Sequence, residues 1–172
     1  GVMLFAKSFE TQQRLKNDWA RTEKLYLAAL SGHLAEPCCI LTSYLAEDED
    51  LYMVPVGSGD GGKLARTAYV LIGETRTLSL VKIRLLSGRK NQVRVQFAER
   101  GCPVAGDRKY GHGGLSVSRL CLHAKSIALA HPHDGRPLFF DTPIPPVFGE
   151  IAPGFGEVDW NGAPTPPGRR SP

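Results

Sequence analysis

Residues 87–111 concentrate the side chains that could bind an anion. This segment holds six of the 21 Lys and Arg residues in a chain of 172. Arg89 and Lys90 precede a stretch from Asn91 to Arg100 without a helix breaker, and Gly101 follows it. The pattern predicts a short helix that ends just before this glycine. Cations at a helix start oppose the helix dipole, so a bound anion would relieve the conflict; a solvated basic turn is the alternative interpretation.

Composition permits a polyanionic partner without requiring one. The formal net charge is +4 and the sequence pI is about 9.0. Hydrophobic residues make up 42% of the chain, which is enough for a sizeable core and excludes a largely disordered protein. The length fits a single domain. No run of 18 apolar residues is present, so the sequence predicts no membrane partner.

Cysteine and histidine spacing does not predict a metal centre. The four cysteines form no C-x-x-C pair: Cys38, Cys39, Cys102 and Cys121. This usage predicts a reduced, intracellular protein, cytoplasmic or, in a eukaryote, organellar or nuclear. His131 and His133 could face one side of a strand as metal ligands, but no third ligand is near, which favours a pair of loop histidines. We expect no metal and no cofactor.

The elements expected before the basic segment form a sheet with one helix. Residues 33–62 are expected to be irregular, with an acidic run at 47–50 and a flexible glycine-rich loop at 57–62. Apolar patterning predicts two buried strands, at Val2 to Ala6 and at Glu23 to Leu30. Between them, a helix through Phe9 to Trp19 is expected, with Ser8 as its cap. A short glycine-containing connection predicts a hairpin of Lys63 to Leu71 and Thr77 to Leu86.

After the basic segment the sequence predicts two more strands and a tail. Residues Arg119 to Ala124 are expected to start one strand. A turn at Asp134-Gly135 then leads to a return strand at Pro137 to Asp141. The domain is expected to occupy residues 1–150. Residues 151–172 are rich in Pro and Gly and are expected to be a disordered tail.

Two blocks of the basic segment resemble the signature of RluA-type RNA pseudouridine synthases. Residues 88–95 read Gly-Arg-Lys-Asn-Gln-Val-Arg-Val, against a family pattern of Gly-Arg-x-His-Gln-Ile-Arg-Val-His. Residues 101–111 read Gly-Cys-Pro-Val-Ala-Gly-Asp-Arg-Lys-Tyr-Gly, which is similar to Gly-x-Pro-Ile-x-Gly-Asp-x-x-Tyr-Gly. Asn91 and Gln96 stand where the family has His, and both keep hydrogen-bonding capacity. Other blocks follow in the family's order from Gly1 to about Phe148.

The resemblance implies a fold and a reaction. The implied fold is an N-terminally truncated α+β catalytic domain with a mixed, mainly antiparallel sheet and flanking helices. The implied reaction is isomerisation of uridine to pseudouridine in ribosomal or transfer RNA, with RNA as partner and without a cofactor. The alternative is a non-catalytic RNA-binding protein derived from the same fold. A protein-interaction module is a third, weaker interpretation, because the residues at the family's pocket positions are retained.

The resemblance also implies roles for individual residues. Tyr26 and Arg94 would be catalytic: the tyrosine stacks on the flipped base and moves a proton, and the arginine keeps the nucleophilic Asp ionised. Val93 would line the base pocket. A core tyrosine, a surface charge and a core valine are the corresponding structural alternatives. The implied RNA-binding residues are Arg89, Lys90, Asn91, Gln92, Arg108 and Lys109.

The family's nucleophile is not among the printed residues. It lies in a His-Arg-Leu-Asp-x-x-Thr-Ser-Gly motif before an apolar strand, and residues 1–8 resemble that strand. The nucleophile is therefore expected upstream of Gly1, and the printed chain is expected to be inactive, since Asp18, Asp60 and Asp107 are poor replacements. Arg94 is expected to be destabilising without its partner. An exposed N-terminal sheet edge is expected to favour self-association.

Overall fold

One seven-stranded sheet organises the chain. The computed structural model describes residues 1–111, 117 and 119–152. Its strands are β1 (Glu23–Ser31), β2 (Cys38–Glu47), β3 (Met53–Val56), β4 (Lys63–Glu74), β5 (Leu78–Leu85), β6 (Leu122–Ala130) and β7 (Pro137–Asp141), and its helices are α1 (Phe9–Asp18), α2 (Gln92–Glu99) and α3 (Pro146–Ile151). The spatial order is β3-β2-β4-β5-β1-β6-β7, and all pairings between these strands are antiparallel. The predicted α+β fold with a mainly antiparallel sheet is confirmed.

The predicted central strand and hairpin are both present. β1 lies between β5 and β6, and its residues 27–30 are fully buried, as expected for a strand covered on both faces. β4 and β5 form the predicted hairpin, and their register shifts between Leu71 and Gly73. Such a bulge bends the strand and increases its local twist.

The expectation of an irregular segment at residues 33–62 is wrong. β2 pairs with β4 over eight residues from Cys38 to Leu45, and β3 closes one edge of the sheet. Only Leu41 and Leu45 of β2 are buried, and the polar residue Ser43 lies between them on the same face, which interrupts the apolar alternation that marks a strand. The partner strand, rather than the local pattern, defines β2.

The N-terminal segment is not the predicted strand. Residues 1–6 have no regular structure, although the Val2 N–H donates to the Ala124 carbonyl of β6 at 2.9 Å. Met3 and Phe5 are 75% and 77% exposed, so this segment lies over the sheet without being buried. α1 follows as predicted, because the Ser8 hydroxyl accepts from the Thr11 N–H and caps its first turn. Self-association through this region stays a prediction.

α2 packs on the sheet as predicted and begins in a strained conformation. Val93 and Phe97 are buried in the main core, and the Phe97 ring packs edge-on against Tyr69 at 5.4 Å. Gly101 follows the helix with φ 72°, as expected for a C-terminal glycine. Asn91 precedes the helix with φ 52°, a left-handed conformation that asparagine tolerates better than most residues.

The C-terminal part of the described chain differs from the prediction at two points. β6 begins at Leu122 rather than Arg119, whereas β7 and the glycine turn before it are as predicted. α3 was not predicted, and it completes the core with the fully buried ring of Phe148. The domain boundary near residue 150 stays a prediction. The predicted tail lies outside the described residues from position 153 onward. With at most 10 residues, no helix in the described ranges could cross a membrane.

A buried polar network joins α2 to the sheet. The Gln96 amide accepts from the Thr67 hydroxyl at 2.6 Å and donates to the Ser43 hydroxyl and the Ala65 carbonyl. Gln92 donates to the same Thr67 oxygen at 2.7 Å. These groups have partners although they are buried, so the network fixes the rotation of the helix on the sheet at little desolvation cost.

Replacing Gln96 with Leu is expected to destabilise the domain by about 1–3 kcal/mol, because the Thr67 hydroxyl would no longer have its buried acceptor. Urea unfolding of both proteins would measure the change. Gln12→Leu on the exposed side of α1 is the matched control, with an expected effect within about 0.5 kcal/mol. Equal free energies of unfolding for the two variants would contradict a structural role for the network.

Candidate functional site

A buried ion pair forms the centre of the candidate site. The Arg94 guanidinium on α2 donates through Nε and Nη2 to the two carboxylate oxygens of Asp107, each at 2.7 Å. The arginine side chain is 21% exposed and the aspartate side chain is fully buried. A bidentate pair of this length fixes the plane of the guanidinium as well as its position.

The Asp107 carboxylate also closes the loop that follows α2. Its Oδ1 accepts from the backbone N–H groups of Lys109 and Tyr110 at 2.9 and 3.0 Å. Burial by itself would raise the pKa of this carboxyl, but the bonds from Arg94 and from the two N–H groups outweigh it and lower the pKa. The carboxylate therefore stays ionised at neutral pH, and the pKa of Arg94 is raised by the same contact.

Asn91 and Tyr110 complete the cage around the arginine. The side-chain amide of Asn91 makes two hydrogen bonds: its Oδ1 accepts from Arg94 Nη1 at 3.1 Å, and its Nδ2 donates to the Tyr110 hydroxyl at 3.2 Å. That hydroxyl also accepts from the Met53 N–H of β3 at 3.0 Å. The guanidinium lies over the Tyr110 ring at 5.0 Å, a cation–π contact. The cage therefore joins the loop, α2 and the edge strand.

The structure corrects one expectation about this pair. Arg94 was expected to lack a partner, but Asp107 supplies one within the printed chain. Asp107 also accepts from two backbone N–H groups, and its cation is Arg94 rather than the neighbouring Arg108. A guanidinium has five N–H donors, and the described residues use three of them, so two remain for another oxyanion as far as those residues show.

Tyr26 lies elsewhere on the sheet, on β1. It is paired with Ile83 of β5 and Ala124 of β6, and burial raises the pKa of its hydroxyl. It borders a cavity of about 280 Å³ together with Trp19, Lys24 and the N-terminal residues. Within the described ranges, Tyr26 and Arg94 share no hydrogen bond or ring contact. They are connected through the core cluster that contains Val93, which is 4% exposed and packs as a core valine.

The basic residues at the start of α2 border a groove of about 460 Å³ between β2, β3 and the loop before the helix. Arg89 and Lys90 are exposed there, and Lys63 lines the same groove. Lys90 pairs with Glu47, and Arg89 Nε donates to the Leu64 carbonyl at 3.0 Å. These contacts orient the two cations along the groove, where phosphates could replace water.

The four other predicted RNA-binding residues have different surroundings. Gln92 is 2% exposed, and its amide is used by the buried network and by the Arg89 N–H, which corrects the prediction that it contacts RNA. Asn91 is half-buried in the arginine cage. Arg108 is exposed, whereas the Lys109 ammonium is held by the Leu51 carbonyl at 3.0 Å.

Sequence reasoning missed two tyrosines of the site. Tyr110 stood in the family motif, but no role was predicted for it. Tyr52, whose ring meets Tyr110 edge-on at 5.8 Å, gave no signal in a segment expected to be irregular. Only the pairing of β3 with β2 brings it near α2.

The histidine pair lies apart from this site. His131 bonds Asp134 at 2.7 Å in the turn before β7, and His133 bonds Thr11 of α1 at 3.0 Å. Across residues 1–111, 117 and 119–152 there is no group of three or more His, Cys, Asp or Glu placed to hold a metal. All four cysteines are free.

Removing the Asp107 charge is expected to destabilise the domain strongly. Asp107→Asn should cost about 3 kcal/mol at neutral pH, because it leaves the Arg94 charge without its partner. The folded-state pKa of Asp107 is lowered, so its stabilisation is present above the unfolded pKa of about 3.9 and disappears as the pH falls through the folded value. The free energies of unfolding of wild type and Asp107→Asn, measured with urea at several pH values, should therefore converge below about pH 4.

Asp18→Asn is the control for that measurement. Asp18 pairs with Arg21 at 3.7 Å, and both side chains are exposed, so the expected effect is below about 1 kcal/mol. If the difference in free energy of unfolding between wild type and Asp107→Asn stays constant down to about pH 2, the Asp107 carboxylate is not the charge that stabilises the domain.

Comparison with known proteins identifies the family. The RNA pseudouridylate synthase family matches residues 1–99. The dual-specificity RNA pseudouridine synthase RluA of Yersinia pestis is 32% identical over 149 residues, which cover 81% of this chain and 70% of that protein. An uncharacterized RNA pseudouridine synthase of Chloroflexus aurantiacus is 31% identical and is matched over 84% of this chain. The chain spans only 46% of that relative, about half of its length.

Solved structures agree with the sequence comparison. Human RNA Pseudouridylate Synthase Domain Containing 1 superimposes with a TM-score of 0.68 at 27% identity, over 83% of this chain and 61% of that one. Human RNA Pseudouridylate Synthase Domain Containing 4 has a TM-score of 0.70 at 22% identity over 86% of this chain and 68% of that one, which supports the fold. Together with the Arg94 block on α2 and the loop after it, these matches show that the chain belongs to the RluA-type family of RNA pseudouridine synthases.

Proposed function

We propose that the protein containing this sequence isomerises uridine to pseudouridine in ribosomal or transfer RNA. The observation that carries the proposal is the orientation of Arg94. Among the residues that the structure describes, Asp107 and Asn91 hold three of its five N–H donors, and the other two can bind one more carboxylate. A carboxylate in that position is held ionised despite partial burial, which a nucleophile requires.

Tyr26 and Val93 have supporting roles in the proposed reaction. Tyr26 provides a ring for stacking on an extruded base and a hydroxyl for proton transfer, and its raised pKa keeps that hydroxyl protonated at neutral pH. Val93 belongs to the core cluster against which Tyr26 packs, and we propose that it supports the base pocket. The nucleophile would come from a carboxylate outside the printed sequence, and we expect no cofactor.

RNA is the proposed partner, and the groove beside α2 is its proposed phosphate path. Arg89 and Lys90 border the groove, and Arg108 is exposed on the loop after the helix. Unpaired nucleotides suit such a site best, because a single-stranded base is extruded at low cost. An RNA substrate and four free cysteines both support an intracellular location.

Activity is expected only when the family's nucleophile motif is supplied. The printed chain alone should release no tritium from RNA labelled at uridine C5, because it contains no His-Arg-Leu-Asp motif. Joining the corresponding segment of the Yersinia relative upstream of Gly1 should give turnover. In that fusion, Arg94→Gln should lower kcat by at least about 100-fold, whereas Arg100→Gln, on the exposed end of α2, should leave it unchanged.

Two outcomes would contradict this assignment. Turnover by the printed chain that disappears in Asp107→Asn would assign the nucleophile to Asp107. An inactive, folded fusion that still binds RNA would favour the non-catalytic RNA-binding alternative.

RNA binding is expected to depend on salt through the exposed arginines. Charge reversal of Arg89 and Arg108 should weaken binding of single-stranded RNA and reduce the salt slope by about 0.7 for each phosphate that is no longer neutralised. Titrations at several salt concentrations would measure the slope. Arg21→Glu, an exposed charge after α1, is the control and should leave the slope unchanged. Affinity that does not change with salt would contradict a phosphate path along this groove.

A further inference from the structure

The turn between β2 and β3 holds an exposed aromatic ring in a fixed position. Tyr52 is 40% exposed, yet its backbone N–H donates to the Asp48 carboxylate at 2.8 Å and its carbonyl accepts from the Asp48 N–H at 2.8 Å. Leu51, just before it, has φ 61°, a conformation that costs energy in a residue other than glycine. The turn is therefore held by its hydrogen bonds, and it presents Tyr52 with little conformational freedom to lose on binding.

A cation and a second ring fix the side chain of Tyr52. The Lys109 ammonium lies 4.0 Å from the ring centroid, and the Leu51 carbonyl accepts from that ammonium at 3.0 Å. The Tyr110 ring lies 5.8 Å away at an interplanar angle of 76°. Lys109 occupies one face of the Tyr52 ring, and this tyrosine as a whole stays 40% exposed. Within the described ranges the Tyr52 hydroxyl makes no hydrogen bond, so the ring itself is the group presented.

This ring contacts the arginine cage, and its residue is next in the chain to one that lines the groove. Met53, the next residue, lines the groove beside Arg89 and Lys90. Its N–H donates to the Tyr110 hydroxyl, and the Tyr110 ring contacts Arg94. A strand that follows the groove toward Arg94 would therefore pass Tyr52.

The acidic residues of the turn restrict where a strand can run. Glu47 is paired with Lys90, and Asp48 is engaged with backbone N–H groups. Glu49 and Asp50 are exposed at the tip, where they would repel phosphates. Phosphates are therefore favoured on the Lys109 side, and the neutral face of the ring is left for a base.

We infer that Tyr52 is a stacking site for an unpaired RNA base that flanks the nucleotide bound near Arg94, with Lys109 polarising the ring from behind. The inference rests on the proposed RNA substrate. Single-stranded nucleic acid is commonly bound by combining a cationic groove with exposed aromatic faces, since every base has a face that can stack. A duplex does not offer such a face along its length.

The test compares binding of labelled single-stranded RNA by variants of the printed chain. Tyr52→Leu is expected to weaken binding by roughly 5- to 150-fold, the range for removal of one stacked base. Tyr52→Phe and Tyr52→Trp should bind as well as wild type, because the ring is retained. Phe139→Leu is the matched control, since Phe139 is 63% exposed on β7 at the opposite edge of the sheet. Thermal unfolding of each variant verifies that it is folded.

Two further measurements separate stacking from charge. The salt slope of Tyr52→Leu should equal that of wild type, because the same phosphates stay neutralised. Duplex RNA and a strand with an abasic flank should bind equally to wild type and Tyr52→Leu. Wild type and Tyr52→Leu could bind intact single-stranded RNA equally well while the Arg89 and Arg108 variants bind it more weakly. That result would overturn the stacking site and leave the proposed function intact. No binding of RNA by wild type at any salt concentration would overturn both.

Discussion

The bidentate pair between Arg94 and Asp107 is the interaction on which the site depends. It joins α2 to the loop that follows it, and it orients the guanidinium, whose side chain is 21% exposed. A buried carboxylate with a lowered pKa is stable only while the cation and both backbone N–H groups stay in place. Binding geometry and domain stability therefore rest on the same four hydrogen bonds.

The helix that carries the arginine is positioned by polar contacts beneath it and apolar contacts beside it. Gln92 and Gln96 lock its rotation against Thr67, while Phe97 fills the core next to Tyr69. Hydrogen bonds are directional and apolar contacts are not, so the glutamines specify which face of α2 points outward. That choice places Arg94 toward the loop and Val93 toward the core.

Aromatic rings extend the site beyond the ion pair. Tyr110 lies under Arg94 and contacts Tyr52, and the Lys109 ammonium lies near both rings, 4.0 Å from the Tyr52 centroid and 5.7 Å from the Tyr110 centroid. The arrangement gives alternating cations and aromatic faces along one side of the molecule. Such a surface can bind the phosphates and the bases of one RNA strand together, which links the groove to the reaction proposed at Arg94.

The amino-acid sequence alone determined the elements that have strong local signals. A serine cap, a glycine stop and alternating β-branched residues each act within a few positions, so α1, α2 and the β4–β5 hairpin were predictable, and the motif blocks were sufficient to indicate the family. β2 and β3 were not predictable, because their stability comes from pairing with distant strands. The partner of Arg94 was also decided by tertiary structure: Asp107 is 13 residues away, and only the path of the loop brings their charges together.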